Sequence, residues 1–187
     1  MKIWFTKKNG IILFISLLIL IFICIKCIGI KQKRIVQDIL AAHGNVLYDF
    51  EYAFTKDNNR IPNYVKPKKP STLLSFLFGK DSFGAIVYVQ LKFDKSDPAL
   101  FESLGLDALG KLQHLHLSGK GIDPQIFPAL FKLQYLSALD LVDTQLDDSD
   151  VEKIYVALPS CTVVTKVNNS PISVLLPENA KSNDQTD

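Results

Sequence analysis

The sequence predicts an α/β protein: a short solenoid, with parallel β-strands on its concave side and helices on its convex side, behind an N-terminal transmembrane helix. A charge-free apolar run near the start predicts the membrane helix. An L-x-x-L-x-L pattern that returns after 24 residues predicts the strands, and helical periodicity between its occurrences predicts the return segments.

The anchor occupies residues 1–30. Residues 11–25 contain no charge and one hydroxyl, Ser16, and the apolar run resumes after Lys26 as far as Ile30. At about 1.5 Å per residue this length rises roughly 30 Å, the thickness of a bilayer's hydrocarbon layer. Lys26 is compatible with such a helix, because its stem can lie in hydrocarbon while the ammonium reaches the headgroups. Trp4 and Phe5 suit the opposite interface. A cleavable signal peptide shares the basic start and the apolar run. Its cleavage site needs small residues where this chain has Ile23, Ile25 and Ile28, which favours a retained anchor. Cys24 and Cys27 follow Ile23 and Lys26, not the small residue that lipidation requires, and read as apolar fillers. Basic residues on the two sides nearly balance, so charge leaves the orientation open.

The 187-residue chain has 21 basic and 19 acidic residues, and all seven basic residues of the first 34 positions go unopposed. Beyond them 14 basic residues face 19 acidic ones, a net of −5, which argues against a nucleic-acid-binding soluble part. Only Cys161 lies outside the apolar run, so no disulfide within the chain can staple the soluble part. Its core must hold it alone.

Residues 31–82 read as a capping region. Ile35, Ile39 and Leu40 recur at helical spacing over 31–42, and Gly44 supplies a stop. Residues 45–52 alternate as a strand, with Val46, Tyr48, Phe50 and Tyr52 on one face. Residues 55–72, rich in Asn, Pro and Lys, read as a solvated loop, and Ser71 can cap a short helix over 72–78 that Gly79 ends. Residues 167–187 read as a frayed polar tail.

The repeat occupies residues 83–166. Leu112, Leu115, Leu117 and Ile122 stand 24 residues before Leu136, Leu139, Leu141 and Leu146. The same step back reaches Tyr88, Leu91 and Phe93, and the same step forward from Leu139 reaches Val163. Between the strands Leu106, Leu130 and Ile154 are equivalent, as are Leu109, Leu133 and Ala157. The pattern points alternate side chains to one face of a short strand, and the turn and helix after it return the chain by one strand spacing, about 4.8 Å. No unit buries its apolar face alone, so stacked units share one leucine-lined interior.

Residues 143–161, DTQLDDSDVEKIYVALPSC, resemble a closing repeat in which a turn of the form T-x-V-T-D-x-G-V leads into a helix and an ALP-x-C end. Residues 43–52, HGNVLYDFEY, resemble an L-G-G-x-V-x-Y-D-Y-E element, and residues 76–91, FLFGKDSFGAIVYVQL, resemble an opening helix and first strand. Through these segments, over most of its length, the chain resembles the bacterial leucine-rich-repeat proteins that carry an amino-terminal membrane anchor. The resemblance implies a single-pass membrane protein, a small capping unit, a short repeat array used for macromolecular binding, and an extracytoplasmic soluble domain. The chain departs from that pattern at Asp150, where the turn has glycine, and at Ser96, Lys120 and Thr144, where an asparagine often ladders through the repeats. Fewer than three regular repeats are present, so the capping segments must carry part of the stability.

In a stacked sheet the residues between the leucines form rows on the concave face: Gln90, Lys92 and Asp94, then His114, His116 and Ser118, then Ala138, Asp140 and Val142. The 24-residue step places Lys92, His116 and Asp140 side by side. Such a mixed-charge face is read as a protein-binding surface without catalysis, cofactor or metal. Its sharper alternative is a membrane-bound metal-dependent hydrolase built on His114, His116 and Asp140, for which neither further ligands nor a nucleophile with a base are evident. A structural envelope component without a specific partner is the other alternative. Cys161 reads as a small buried hydrophobe, Asp147, Asp148 and Asp150 as the acidic start of a helix, and Phe127, Phe131 and Tyr135 as packing. No glycine-rich phosphate loop or serine elbow occurs, and no small-molecule substrate is evident.

Overall fold

Helix α1, Lys7–Ala41, opens the computed structural model, which describes residues 7–49, 84–166 and 173–175. The chain divides into two units, residues 1–34 with 70–84 and residues 35–69 with 85–187. The expected loop over 55–72 and helix over 72–78 lie outside the described residues, as do Phe50 and Tyr52.

The sequence reading divides α1 into an anchor and a separate helix over 31–42, but the structure has one continuous helix. The reason is local: residues 31–34, Lys-Gln-Lys-Arg, are good helix formers, and no proline interrupts the stretch. From Ile12 the helix is long and apolar enough to cross a membrane. Ile12, Phe14 and Ile28 are each 62 % exposed, which distinguishes this stretch from a buried core helix. Ser16 Oγ donates to the Ile12 carbonyl at 2.9 Å, so the one hydroxyl of the apolar run needs no water. The last turns differ, because Ile35, Val36 and Ile39 are buried in the hydrophobic core of the second unit.

The end of α1 also departs from expectation. His43 takes the left-handed conformation (φ 56°). His43 N donates to Leu40 O at 3.0 Å and Gly44 N to Ile39 O at 2.9 Å, the paired bonds of a Schellman stop. Gly44 is required for a different reason: a Cβ there would lie 2.7 Å from the Gln90 carbonyl oxygen.

Among the described residues six strands form one sheet in chain order: β1 Asn45–Tyr48, β2 Ile86–Lys92, β3 His114–Ser118, β4 Ala138–Val142, β5 Thr162–Lys166 and β6 Ser173–Leu175. Strands β2 to β5 are parallel, and β1 and β6 pair antiparallel at the two edges. β6 lies where the sequence reading has a frayed tail. Leu115 pairs with Leu139, which pairs with Val163, and all three are fully buried. Alternation thus turns one face of the sheet to the core, and each buried leucine contributes about 1.5–3 kcal/mol.

The register corrects the sequence reading in one place. β3 to β4 and β4 to β5 pair at the expected step of 24, but Val89 pairs with Leu115 and Gln90 with His116, a step of 26. The two additional residues fall in the connection from β2 to β3. There Gly105 adopts a left-handed conformation (φ 61°) and leads into a 3-10 turn at Leu106–Ala108. At the 26-residue step it is Leu104, 1 % exposed, that stands before the fully buried Leu130, while Leu106, to which the sequence reading gives that position, is buried in the 3-10 turn.

The return segments begin alike. Asp97 caps α2, Pro98–Ser103; Asp123 caps a 3-10 turn, Pro124–Ile126, that runs into α3, Phe127–Leu130; and Asp147 caps α4, Asp148–Ala157. Each carboxylate accepts a backbone N–H of the first turn, at 2.8, 2.8 and 2.9 Å, worth about 1 kcal/mol apiece. Only α4, at 10 residues, is a full helix, so the helical side is more irregular than the sequence pattern implies. Prolines 124 and 128 lack the N–H that would extend the middle segment.

Candidate functional site

Register fixes which side chains meet on the face of the sheet that turns away from the core. One row runs Leu47, Tyr88, His114, Ala138, Thr162, and the next runs Asn45, Gln90, His116, Asp140, Val164. A third runs Lys92, Ser118, Val142, Lys166.

Asp140 is the centre of the arrangement. Its Oδ2 lies 2.6 Å from His114 Nε2 on the diagonal and 3.4 Å from His116 Nδ1 directly across. An ionised carboxylate only accepts, so the imidazole nitrogen facing it carries the proton in each ring. The His114 side chain is 9 % exposed, that of His116 22 % and that of Asp140 26 %. The Tyr88 ring stands edge-on to His114 with centroids 4.9 Å apart, closing its far side. Burial pushes the Asp140 carboxyl up, but the hydrogen bonds from His114 and His116, together with their coulombic attraction, outweigh it. They hold the group well below the usual carboxylate range.

The other sequence-nominated residues are placed differently. Gln90, not Lys92, lies beside His116, because of the 26-residue step. Lys92 is one row away and pairs with Asp94 at 3.2 Å in solvent, with side chains 64 % and 80 % exposed, a pair of little energetic weight. Asp94 lies past the end of β2, outside the sheet. Ser118 Oγ donates to the Leu91 carbonyl at 3.3 Å across the strands. Ala138 and Val142 are half-buried on the expected face. Tyr88, which the 24-residue step counts among the core positions, belongs to the outward face, as do Asn45, Thr162, Val164 and Lys166.

No family model, curated protein or solved structure matches the chain.

The chemistry of the face must therefore be read from its own atoms. Among the described residues no group of three or more His, Cys, Asp and Glu side chains is arranged to hold a metal ion. His114 and His116 each direct a ring nitrogen to the same carboxylate oxygen, which locks the pair into a hydrogen-bonded network. Cys161 is fully buried, and burial, with the charge of Asp140 adding to it, pushes its thiol up to about 12, which disfavours the thiolate. Asp147 accepts from Ser149 Oγ and from Asp150 N, which lower its carboxyl, while Asp150 reaches back to Asp147 N to complete a capping box.

Asp140→Asn is expected to destabilise the folded chain by about 1–3 kcal/mol at neutral pH, since it replaces a charge-assisted acceptor for a buried imidazole. The acid side gives the sign. A carboxyl depressed from its ordinary 3.8 contributes fully above that value, and the contribution is lost as pH falls below it towards the folded value. The gap between wild type and variant in urea denaturation should therefore be widest at neutral pH and close below pH 3.8. A gap that is absent at neutral pH would show that the pairing contributes nothing.

Proposed function

We propose that this chain is a membrane-anchored, non-catalytic leucine-rich-repeat protein whose outward sheet face recognises a protein partner. The observation that carries the reading is a half-buried, in-register row of Gln90, His116 and Asp140 on the parallel strands of a sheet whose other face is buried leucine, isoleucine and valine. A polar row held rigid by backbone pairing suits recognition, because its side chains lose little freedom on binding. The step of 24 between β3, β4 and β5 and the shared leucine interior support the repeat reading, and the long apolar stretch of α1 supports the anchor. The face is built from strands of three to seven residues, so affinity rests on a few anchor residues or on clustering of anchored copies.

The test is photocrosslinking in cells from a probe placed at Gln90, with identification of what is captured. Reproducible capture of one protein, lost when the probe moves to Glu102 on α2, is the expected result. Capture at background level from both positions would favour a purely structural envelope component. Protease accessibility of the carboxyl terminus on intact cells tests the extracytoplasmic placement that the family resemblance implies.

A further inference from the structure

We propose that the partner meets this face with a cationic, hydrogen-bond-donating side chain, arginine or lysine, seated on the Asp140–His116 pair. The inference rests on the recognition reading above and adds the chemistry of the contact. Asp140 receives both imidazoles on Oδ2, and among the described residues its Oδ1 has no hydrogen-bond partner. His116 directs Nδ1 to Asp140, so in the neutral ring Nε2 carries a lone pair and can only accept. Both side chains are within reach of a visitor, at 22 % and 26 % exposure. With both rings neutral the pair offers two acceptors, Asp140 Oδ1 and His116 Nε2, around one negative charge, and no donor. A carboxylate or phosphate from a partner would meet repulsion with nothing to bond to. An aliphatic group would cover the charge without matching it, the most unfavourable outcome for a desolvated ion. A guanidinium or ammonium satisfies both acceptors and the charge together.

The neighbouring charges leave this preference in place. Lys92, one row away, is already matched by Asp94 at 3.2 Å. Lys166 is exposed at the end of β5, in the same outer row as Lys92. Gln90, on the other side of His116, is a neutral amide that accepts as readily as it donates.

The test presents the full-length protein in detergent micelles with immobilised short peptides that share one scaffold and differ only at the central residue: arginine, lysine, glutamate, leucine or tyrosine. Selective retention by the arginine and lysine peptides is expected. It should weaken about tenfold or more in Asp140→Asn, the loss of one charge-assisted contact. His116→Phe, which keeps the ring but removes the acceptor, should weaken it as well, whereas Glu102→Gln on α2 should not. Unchanged circular dichroism of the variants separates lost contact from lost fold. Preference for the glutamate, leucine or tyrosine peptide, retention of none, or retention indifferent to Asp140→Asn overturns the inference. Failure of the recognition reading itself is seen separately, in the in-cell capture from Gln90.

Discussion

Gly121→Ala is expected to destabilise the soluble part by about 2–4 kcal/mol or to prevent its folding, the upper range for a single substitution. A Cβ at this position would lie 2.2 Å from the Lys95 carbonyl oxygen, 2.3 Å from its carbon and 2.8 Å from its nitrogen. All three are backbone atoms, so no side-chain rotation relieves the overlap. The turn cannot retreat either, because Gly121 N donates to Phe93 O at 2.8 Å. Two residues earlier Gly119 adopts φ 100° with a Cβ position 2.4 Å from Phe93 O, so the whole turn after β3 lies against the backbone that follows β2. Gly110→Ala is the matched control, since a Cβ there meets nothing within 4 Å. Urea denaturation of the two variants side by side decides the matter. Equal, small effects would mean that the turns do not stack this closely in solution. The consequence reaches the outward polar face, because this turn anchors the ends of β2 and β3, whose pairing brings Gln90 beside His116.

How far the site could be read from sequence depends on what each pattern can distinguish. The leucine alternation was sufficient to place Leu115 and Leu139 in one interior, with His116 and Asp140 across from each other, and the structure has both. It could not decide between steps of 24 and 26 from β2 to β3, since a shift of two residues leaves the alternating residues from Val89 to Lys92 on the same faces. A second signal could have decided it. Asp97-Pro98-Ala99-Leu100-Phe101 and Asp123-Pro124-Gln125-Ile126-Phe127 are 26 residues apart and each opens a return segment with an aspartate cap. Reading those caps as equivalent would have moved Lys92 away from His116, put Gln90 there and turned Tyr88 outward. The 2.6 Å contact between Asp140 and His114 was beyond reach for another reason: it runs diagonally, and which diagonal a side chain takes depends on rotamers and twist, not on spacing. β6 was missed because Ser173–Leu175 is too short to alternate visibly, and its pairing with β5 is a tertiary choice.

Leu139→Ala is expected to cost about 2–5 kcal/mol, and its effect should spread beyond the strand that carries it. Leu139 is fully buried in β4, and its register partners Leu115 and Val163 on β3 and β5 are fully buried too. Truncation therefore opens a cavity lined by both neighbours, and neither can close it without leaving its own place in the parallel ladder. β4 pairs with β3 on one side and β5 on the other, so loosening it removes one of the two strand neighbours of each. Hydrogen exchange on the full chain should show faster exchange for amides of β3, β4 and β5 together, and a lower urea midpoint. Leu139→Met, which keeps most of the volume, should lose less than about 1.5 kcal/mol and retain the protection. Because Asp140 follows Leu139 on the opposite face, the alanine variant should also disturb the His114–Asp140–His116 network without touching it. Faster exchange confined to β4, with β3 and β5 still protected, would contradict a shared interior, and with it the stacked-unit reading on which the proposed binding face depends.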